Sequence, residues 1–147
     1  MAFEYKAIRR VEFSETDMAG IMHYSNFFRF METAEHGLLR SLGHSAVMRD
    51  FDPPMGWPRV HAECDYRAPL RFEDKVEIHI LVEKIKRRSI RYLFKFTKIE
   101  ARKRTEVARG NVVVACVVLN ADGSFSAAPI PGEFLKKISA APRSLLA

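Results

Sequence analysis

The chain is poor in the residues that staple small proteins together. Its two cysteines, Cys64 and Cys116, stand apart in the apolar runs HAECDY and VVACVV. They read as small buried hydrophobes of a reducing compartment; with no CxxC pair and no Cys/His cluster, no structural zinc site and no other metal is expected. No uncharged stretch is long enough for a membrane span, and the N-terminus MAFEYKAIRRVEF lacks the apolar core and small-residue cleavage site of a secretory signal. A cytoplasmic location and no membrane partner are the expectation. A G-x-S-x-G elbow is missing, and Ser14 and Ser25 have no paired base at a recognisable spacing, which argues against a serine hydrolase. There is no repeat, linker or low-complexity tract, and the seven glycines and seven prolines mark turns. One domain over residues 1–147 follows.

What is present is ordinary for a soluble globular domain: 48% apolar and 29% charged residues, in a length that buries roughly 68–70% of the unfolded surface without covalent help. The charge is uneven. Overall it is 24 − 18 = +6. Residues 84–104 (KIKRRSIRYLFKFTKIEARKR) hold ten Lys/Arg against Glu100 alone, or +9, so the remaining 14 basic and 17 acidic residues sum to −3. A localised basic patch raises the question of an anionic partner.

Hydrophobic periodicity gives the elements. Residues 3–13 read as a strand, and 26–42 (NFFRFMETAEHGLLRSL) as a helix with Phe27, Phe30, Met31, Ala34, Leu38 and Leu42 on one face, widened by Phe28 and Leu39. Ser25 suits an N-cap whose hydroxyl accepts a first-turn amide, and Gly43 the C′ position. Gly37 costs roughly 1 kcal/mol in a helix interior, so a close approach to another element is expected there. Residues 44–58 read as a short helical turn and a loop around Trp57. Period two then takes over: Val60 to Tyr66, Val76 to Val82, Ile90 to Phe96, and one long strand in EVARGNVVVACVVLN, with KIKRRS as a bend, Asp122-Gly123 as a turn and a short helix within 131–140. On the third of these strands, Arg91, Leu93, Lys95 and Thr97 oppose the apolar face and read as solvated. The order β-α-β-β-β-β with local connections predicts an α+β domain, an antiparallel five-stranded sheet wrapped around one helix, with an open edge suited to a second copy.

Chemistry concentrates before the helix. FSETDMAGIMHYSNFF brings together Asp17, Gly20, His23 and a helix start at Tyr24 to Asn26. Unpaired amides and the positive dipole of a helix start can hold a carbonyl oxygen as charge develops on it, and a loop carboxylate can attack that carbonyl or activate water. The same residues would also serve a plain turn in which Asp17 only bonds the backbone.

The run from Val11 to Gly43, with D-x-x-G-I, Y-x-N and an apolar helix ending in L-G, resembles the 4-hydroxybenzoyl-CoA thioesterase family of hot-dog-fold acyl-CoA thioesterases. HAECDYRAPLRFEDKVEI is similar to the family's next two strands through Asp65, Tyr66, Pro69 and Asp74, so the resemblance covers about residues 5–135. It implies one long helix wrapped by a five-stranded antiparallel sheet. It also implies a catalytic role for Asp17 and a carbonyl-polarising amide near Tyr24. His23 stands where members carry an aromatic residue or histidine, and either orients water or substrate or packs. Phe27 replaces the tyrosine that usually follows Asn26. Glu32 and Glu35 are the runners-up, because another branch of hot-dog thioesterases uses a helix glutamate; otherwise they are a solvated or dimer-facing helix edge. His61 and Glu63 share a strand face that could approach the site, while His36, His44 and His79 carry no further signal. Lys86, Arg87, Arg88 and Ser89 match a basic turn that holds the phosphates of coenzyme A, to which guanidinium forks are suited. Gly20, Asn26, Phe27, Met31 and Trp57 are the expected substrate contacts.

The leading expectation is therefore an acyl-CoA thioesterase needing no cofactor, working as a homodimer or homotetramer. A non-catalytic acyl-CoA or acyl-carrier-protein binding module on the same fold is the alternative. Nucleic-acid binding through the basic strand is disfavoured, because Tyr92, Phe94 and Phe96 fall on the helix-facing side and cannot serve as stacking platforms.

Overall fold

The computed structural model describes residues 1–147. The first strand, β1 (Glu4–Arg10), leads through a single 3-10 turn (Phe13–Glu15) and the Asp17 loop into α1 (Asn26–Ser41). The chain continues through β2 (Met55–Gly56), β3 (Arg59–Tyr66), β4 (Lys75–Ile85), β5 (Ser89–Ile99), β6 (Arg104–Ala115), β7 (Val117–Leu119) and β8 (Phe125–Ala127), and ends in two short helices, α2 (Gly132–Leu135) and α3 (Arg143–Leu146). β1, β4, β5, β6 and β3 lie in that order in one five-stranded sheet whose neighbours are all antiparallel. The α+β class and the five-stranded antiparallel sheet around one helix are thus as the sequence pattern predicts.

Period two along β4 and β5 places Val76, Ile78, Ile80, Val82, Tyr92, Phe94 and Phe96 on the face that receives Phe27, Phe30, Met31, Ala34 and Leu38 of α1, in one core of 28 buried residues. Gly37 is where α1 meets β1: an added Cβ would overlap the Tyr5 ring. Gly110 on β6 has the same role deeper in, where a Cβ would overlap the Met31 side chain and the Glu63 carbonyl. Gly43 ends the helix at φ +86, with its amide on the Arg40 carbonyl at 3.0 Å.

Four details differ from the sequence pattern. Ser25 has helical dihedrals and makes no side-chain cap; its hydroxyl pairs with His23 Nδ1 at 2.7 Å, since the turn begins earlier at His23 and Tyr24. Residues 44–58 contain no helical turn but the short β2, which joins β7 and β8 in a second, three-stranded sheet, so the long last strand is broken at Cys116. Leu93, expected on a solvated face, is buried at 3% exposure, because the C-terminal segment crosses that face and packs Ala141, Leu145 and Leu146 over Leu93 and Leu81. Lys95 reinforces this cover by donating to the Leu145 carbonyl at 2.6 Å. β3, finally, is an edge strand exposed at every residue but the half-buried Cys64, with Val60 at 63%.

Candidate functional site

The loop that carries Asp17 is shaped by its own hydrogen bonds. The Asp17 amide donates to the Ile21 carbonyl at 3.0 Å, the Gly20 amide to the Asp17 carbonyl at 2.9 Å, and the Ala19 amide to Asp17 Oδ1 at 2.8 Å. Gly20 closes this turn at φ +79, a region that disfavours side chains. Asn26, buried on α1, donates from Nδ2 to the Glu15 carbonyl at 2.8 Å and so fixes the loop to the helix start.

Beside this turn opens a pocket of about 460 Å³ lined by Asp17, Ile21, Met22, Tyr24, Phe27 and the stretch Tyr66 to Leu70. Its walls are largely apolar. Phe27 forms one of them, held edge-on by Tyr66 at 5.0 Å and by Phe96 at 5.2 Å between ring centroids. Tyr66 also donates its hydroxyl to the Tyr24 carbonyl at 3.1 Å, tying the end of β3 to the start of α1. The Asn26 and Phe27 amides bond back to the His23 and Tyr24 carbonyls, whereas the Tyr24 amide has no acceptor within the chain. Asp17 and Tyr24, whose backbone amide makes no hydrogen bond within the chain, therefore line one apolar pocket.

His23 stacks on Tyr24 with centroids 4.5 Å apart and accepts the Ser25 amide at Nδ1, 3.3 Å away. An accepting Nδ1 assigns the ring proton to Nε2. His23 lies next to the pocket but is not part of its wall.

The other expected contacts separate. Met31 borders a second pocket of about 310 Å³ between α1 and β3, with Glu35 and Arg59. Trp57 packs on Phe134 at 5.4 Å and borders neither pocket. Lys86 and Ser89 line a hollow of about 210 Å³ with Lys84 and Arg91, while Arg87 and Arg88 are exposed beside it. Within one chain this hollow is remote from Asp17: Val11 beside the loop bonds Asp74 at the start of β4, whereas the basic turn follows its end. The 11 residues of β4 separate them, about 35 Å at the usual rise.

Glu35 does not lie on a solvated helix edge: it is 2% exposed and accepts from the Arg59 guanidinium at 2.6 Å. Burial pushes its carboxyl up to about 7, against the lowering pull of Arg59 and with a smaller push from Glu32. Glu32 is more open and faces His36 at 3.9 Å. His61 and Glu63 meet each other at 3.5 Å on exposed β3 and line neither pocket. The pocket-lining residues outside the expected set are Ile21, Met22 and the stretch Tyr66 to Leu70. The D-Y-x-x-P pattern is the signal for the second group, since it runs through Tyr66 to Pro69 of the segment that closes the pocket.

Comparison with known proteins agrees with this arrangement. Residues 11–138 match the thioesterase-like superfamily. A relative in Aquifex aeolicus (strain VF5), whose name goes no further than esterase, is 39% identical over 123 residues, 82% of this chain and 88% of its own length. The 1,4-dihydroxy-2-naphthoyl-CoA hydrolase of Prochlorococcus marinus (strain NATL1A) is 36% identical over 97 residues, 61% of this chain and just under two thirds, 65%, of that protein. Among solved structures, a gentisyl-coenzyme A thioesterase superposes with a TM-score of 0.75 at 29% identity, covering 88% of this chain and 98% of that one. With the matched segment running from the end of β1 to the C-terminal turns and the strand order of the sheet in agreement, the chain belongs to the thioesterase-like superfamily of hot-dog proteins.

Proposed function

We propose that this protein is a thioester hydrolase acting on aroyl-CoA or similarly compact acyl-CoA substrates, with Asp17 as its working carboxylate. The observation that carries the reading is the pairing of Asp17 with the unpaired Tyr24 amide at the wall of one apolar pocket. The acyl group occupies the pocket between Phe27 and Leu70, and its carbonyl oxygen takes the Tyr24 N–H. Asp17 removes a proton from water, the hydroxide adds to the carbonyl carbon, and negative charge gathers on the oxygen held by that amide. Collapse breaks the C–S bond; the departing thiolate takes the proton held by Asp17 and leaves as coenzyme A thiol, and the carboxylic acid product loses its proton to solvent. Direct attack by Asp17 would instead expel the thiolate and form a mixed anhydride, and water opening it at the Asp17 carbonyl carbon would leave one solvent oxygen in Asp17 during a single turnover in labelled water.

Relatives named for 1,4-dihydroxy-2-naphthoyl-CoA and gentisyl-coenzyme A support an aroyl substrate. The basic turn supports coenzyme A as the carrier, and its distance from Asp17 supports a role for it in the site of a neighbouring subunit. A second copy added antiparallel at the exposed β3 edge brings the far end of its sheet toward this chain's Asp17 end. No helix is long and apolar enough to cross a membrane.

The test is turnover of an acyl-CoA panel followed by thiol release, for the wild type and Asp17→Asn. Release from aroyl-CoA by the wild type, lost in the variant, is the expected result. Tight binding without release would identify a binding module and sink the enzymatic reading, and equal turnover by both would remove Asp17 from it.

A further inference from the structure

Asp17 and the Tyr24 amide stand on one loop, and the two ends of that loop meet at a single atom. The Glu15 carbonyl oxygen accepts the His23 amide at 2.9 Å and Asn26 Nδ2 at 2.8 Å. Asp17 follows this carbonyl by two residues, and Tyr24 lies between its two donors. Inside the closure Thr16 bridges Met22, and the Asp17 amide bonds the Ile21 carbonyl at 3.0 Å. Whatever moves the Glu15 backbone therefore moves Asp17 relative to the Tyr24 N–H.

Glu15 is held in turn by its side chain. Oε1 accepts the Glu12 amide at 2.8 Å, and Oε2 accepts from Arg9 Nη2 at 3.0 Å. That side chain is only 15% exposed, so its charge would be costly there without a partner. Arg9 is fixed by α1 as well as by the carboxylate. Its guanidinium carbon lies 4.4 Å from the centre of the Phe30 ring, and Nη1 donates to Thr33 Oγ1 at 3.4 Å. One guanidinium thus joins β1, the 3-10 turn and α1, and its carboxylate partner is the residue whose carbonyl closes the Asp17 loop. Neither Arg9 nor Glu15 lines the pocket beside Asp17.

We infer that Arg9 and Glu15 are positioning residues for the hydrolysis: the Arg9 guanidinium, braced on Phe30, holds Glu15 so that its carbonyl sets the separation between the Asp17 carboxylate and the Tyr24 amide. The inference rests on the thioesterase reading and adds two residues that lie outside the pocket. A thioester carbonyl held at the amide must keep its carbon within reach of a water on Asp17, and a misplacement of about 1 Å in such a geometry costs up to about 10²-fold in rate. The apolar walls formed by Phe27 and by Tyr66 to Leu70 belong to other segments. Loss of the clamp therefore falls on kcat and spares KM.

Arg9→Met tests it, since methionine keeps an apolar stem over Phe30 and loses the guanidinium. On an aroyl-CoA, kcat measured well below the melting temperature is expected to fall about tenfold, with KM within about twofold of the wild type. Glu15→Gln keeps the carbonyl and the size of the side chain, and is expected to give the same split even where Arg9→Met fails to fold. The double variant should lose no more than either single one, because both break the same clamp. In an Asp17→Asn background, Arg9→Met should cost less than about twofold, as no carboxylate is left to place. An unchanged kcat in the single variants, or an equal loss in the Asp17→Asn background, would overturn the proposal in favour of a purely structural ion pair. A loss carried by KM would overturn it in favour of a role in shaping the pocket. A wild type that releases no thiol from any aroyl-CoA would instead bring down the thioesterase reading itself, and the positioning role with it.

Discussion

Two carboxylates line the two pockets beside α1, Asp17 on the loop before the helix and Glu35 at the seam between α1 and β3, and they are treated in opposite ways. Asp17 sits on a turn, half-buried, with cavities on both sides and no cation bonded to it. Glu35 is enclosed by the helix and the edge strand and is neutralised by Arg59. A group that must meet a substrate needs one side open and its geometry set by backbone amides. A group that only joins two elements can be buried, at the cost of desolvation, provided that it is paired. The first arrangement is suited to chemistry and the second to holding β3 against α1.

The largest effect that could break this contrast is at Asp17. Asp17→Asn keeps the size and the bond from the Ala19 amide, so kcat on aroyl-CoA should drop by about 10³-fold with the melting temperature unchanged; a comparable loss from Glu35→Gln would erase the distinction. At Glu35 the expected effect is on stability. Its carboxyl is pushed up to about 7 from 4.5, so the folded state holds more protons than the unfolded state between those values, and stability falls as pH rises through that window. Glu35→Gln has no such slope. Chemical denaturation at pH 5 and pH 8 should show the difference between variant and wild type moving by up to about 3 kcal/mol in the variant's favour at the higher pH.

Gly110→Ala probes how tightly the same seam is closed. The new methyl meets the Glu63 carbonyl, which cannot move without displacing β3, so a loss of about 2 kcal/mol is expected in denaturant unfolding. A neutral outcome would show β3 to be looser than the Glu35 pairing requires. The smallest effect belongs to Tyr66→Phe, which removes the bond to the Tyr24 carbonyl while keeping the ring against Phe27. Because that bond is partly exposed, a fall in kcat of about two- to fivefold with little change in KM is expected, as for a positioning residue.

The local chemistry of the chain made much of this legible. Apolar residues at helical spacing from Phe27 to Leu38, and the alternation of β4 and β5, point to one helix packed on one face of a sheet, because burial of those stripes has few compact solutions. Asp17, Gly20 and the helix start are close in sequence, so their meeting needed no tertiary information. Gly37 announced a close approach, although not that Tyr5 would fill it.

Contacts distant in sequence were decided by the tertiary structure alone. Glu35 reads as a second candidate carboxylate or as a solvated or dimer-facing helix edge until Arg59, 24 positions away, is brought against it. Leu93 alternates with charged residues and is buried only because the C-terminal segment folds back across the sheet. Trp57 and Met31 belong to the same apolar inventory as Phe27, yet only Phe27 reaches the wall beside Asp17. Periodicity reports which face a side chain takes relative to its own strand or helix. Which element arrives to cover that face, and whether a cavity is left between them, depends on the path of the whole chain.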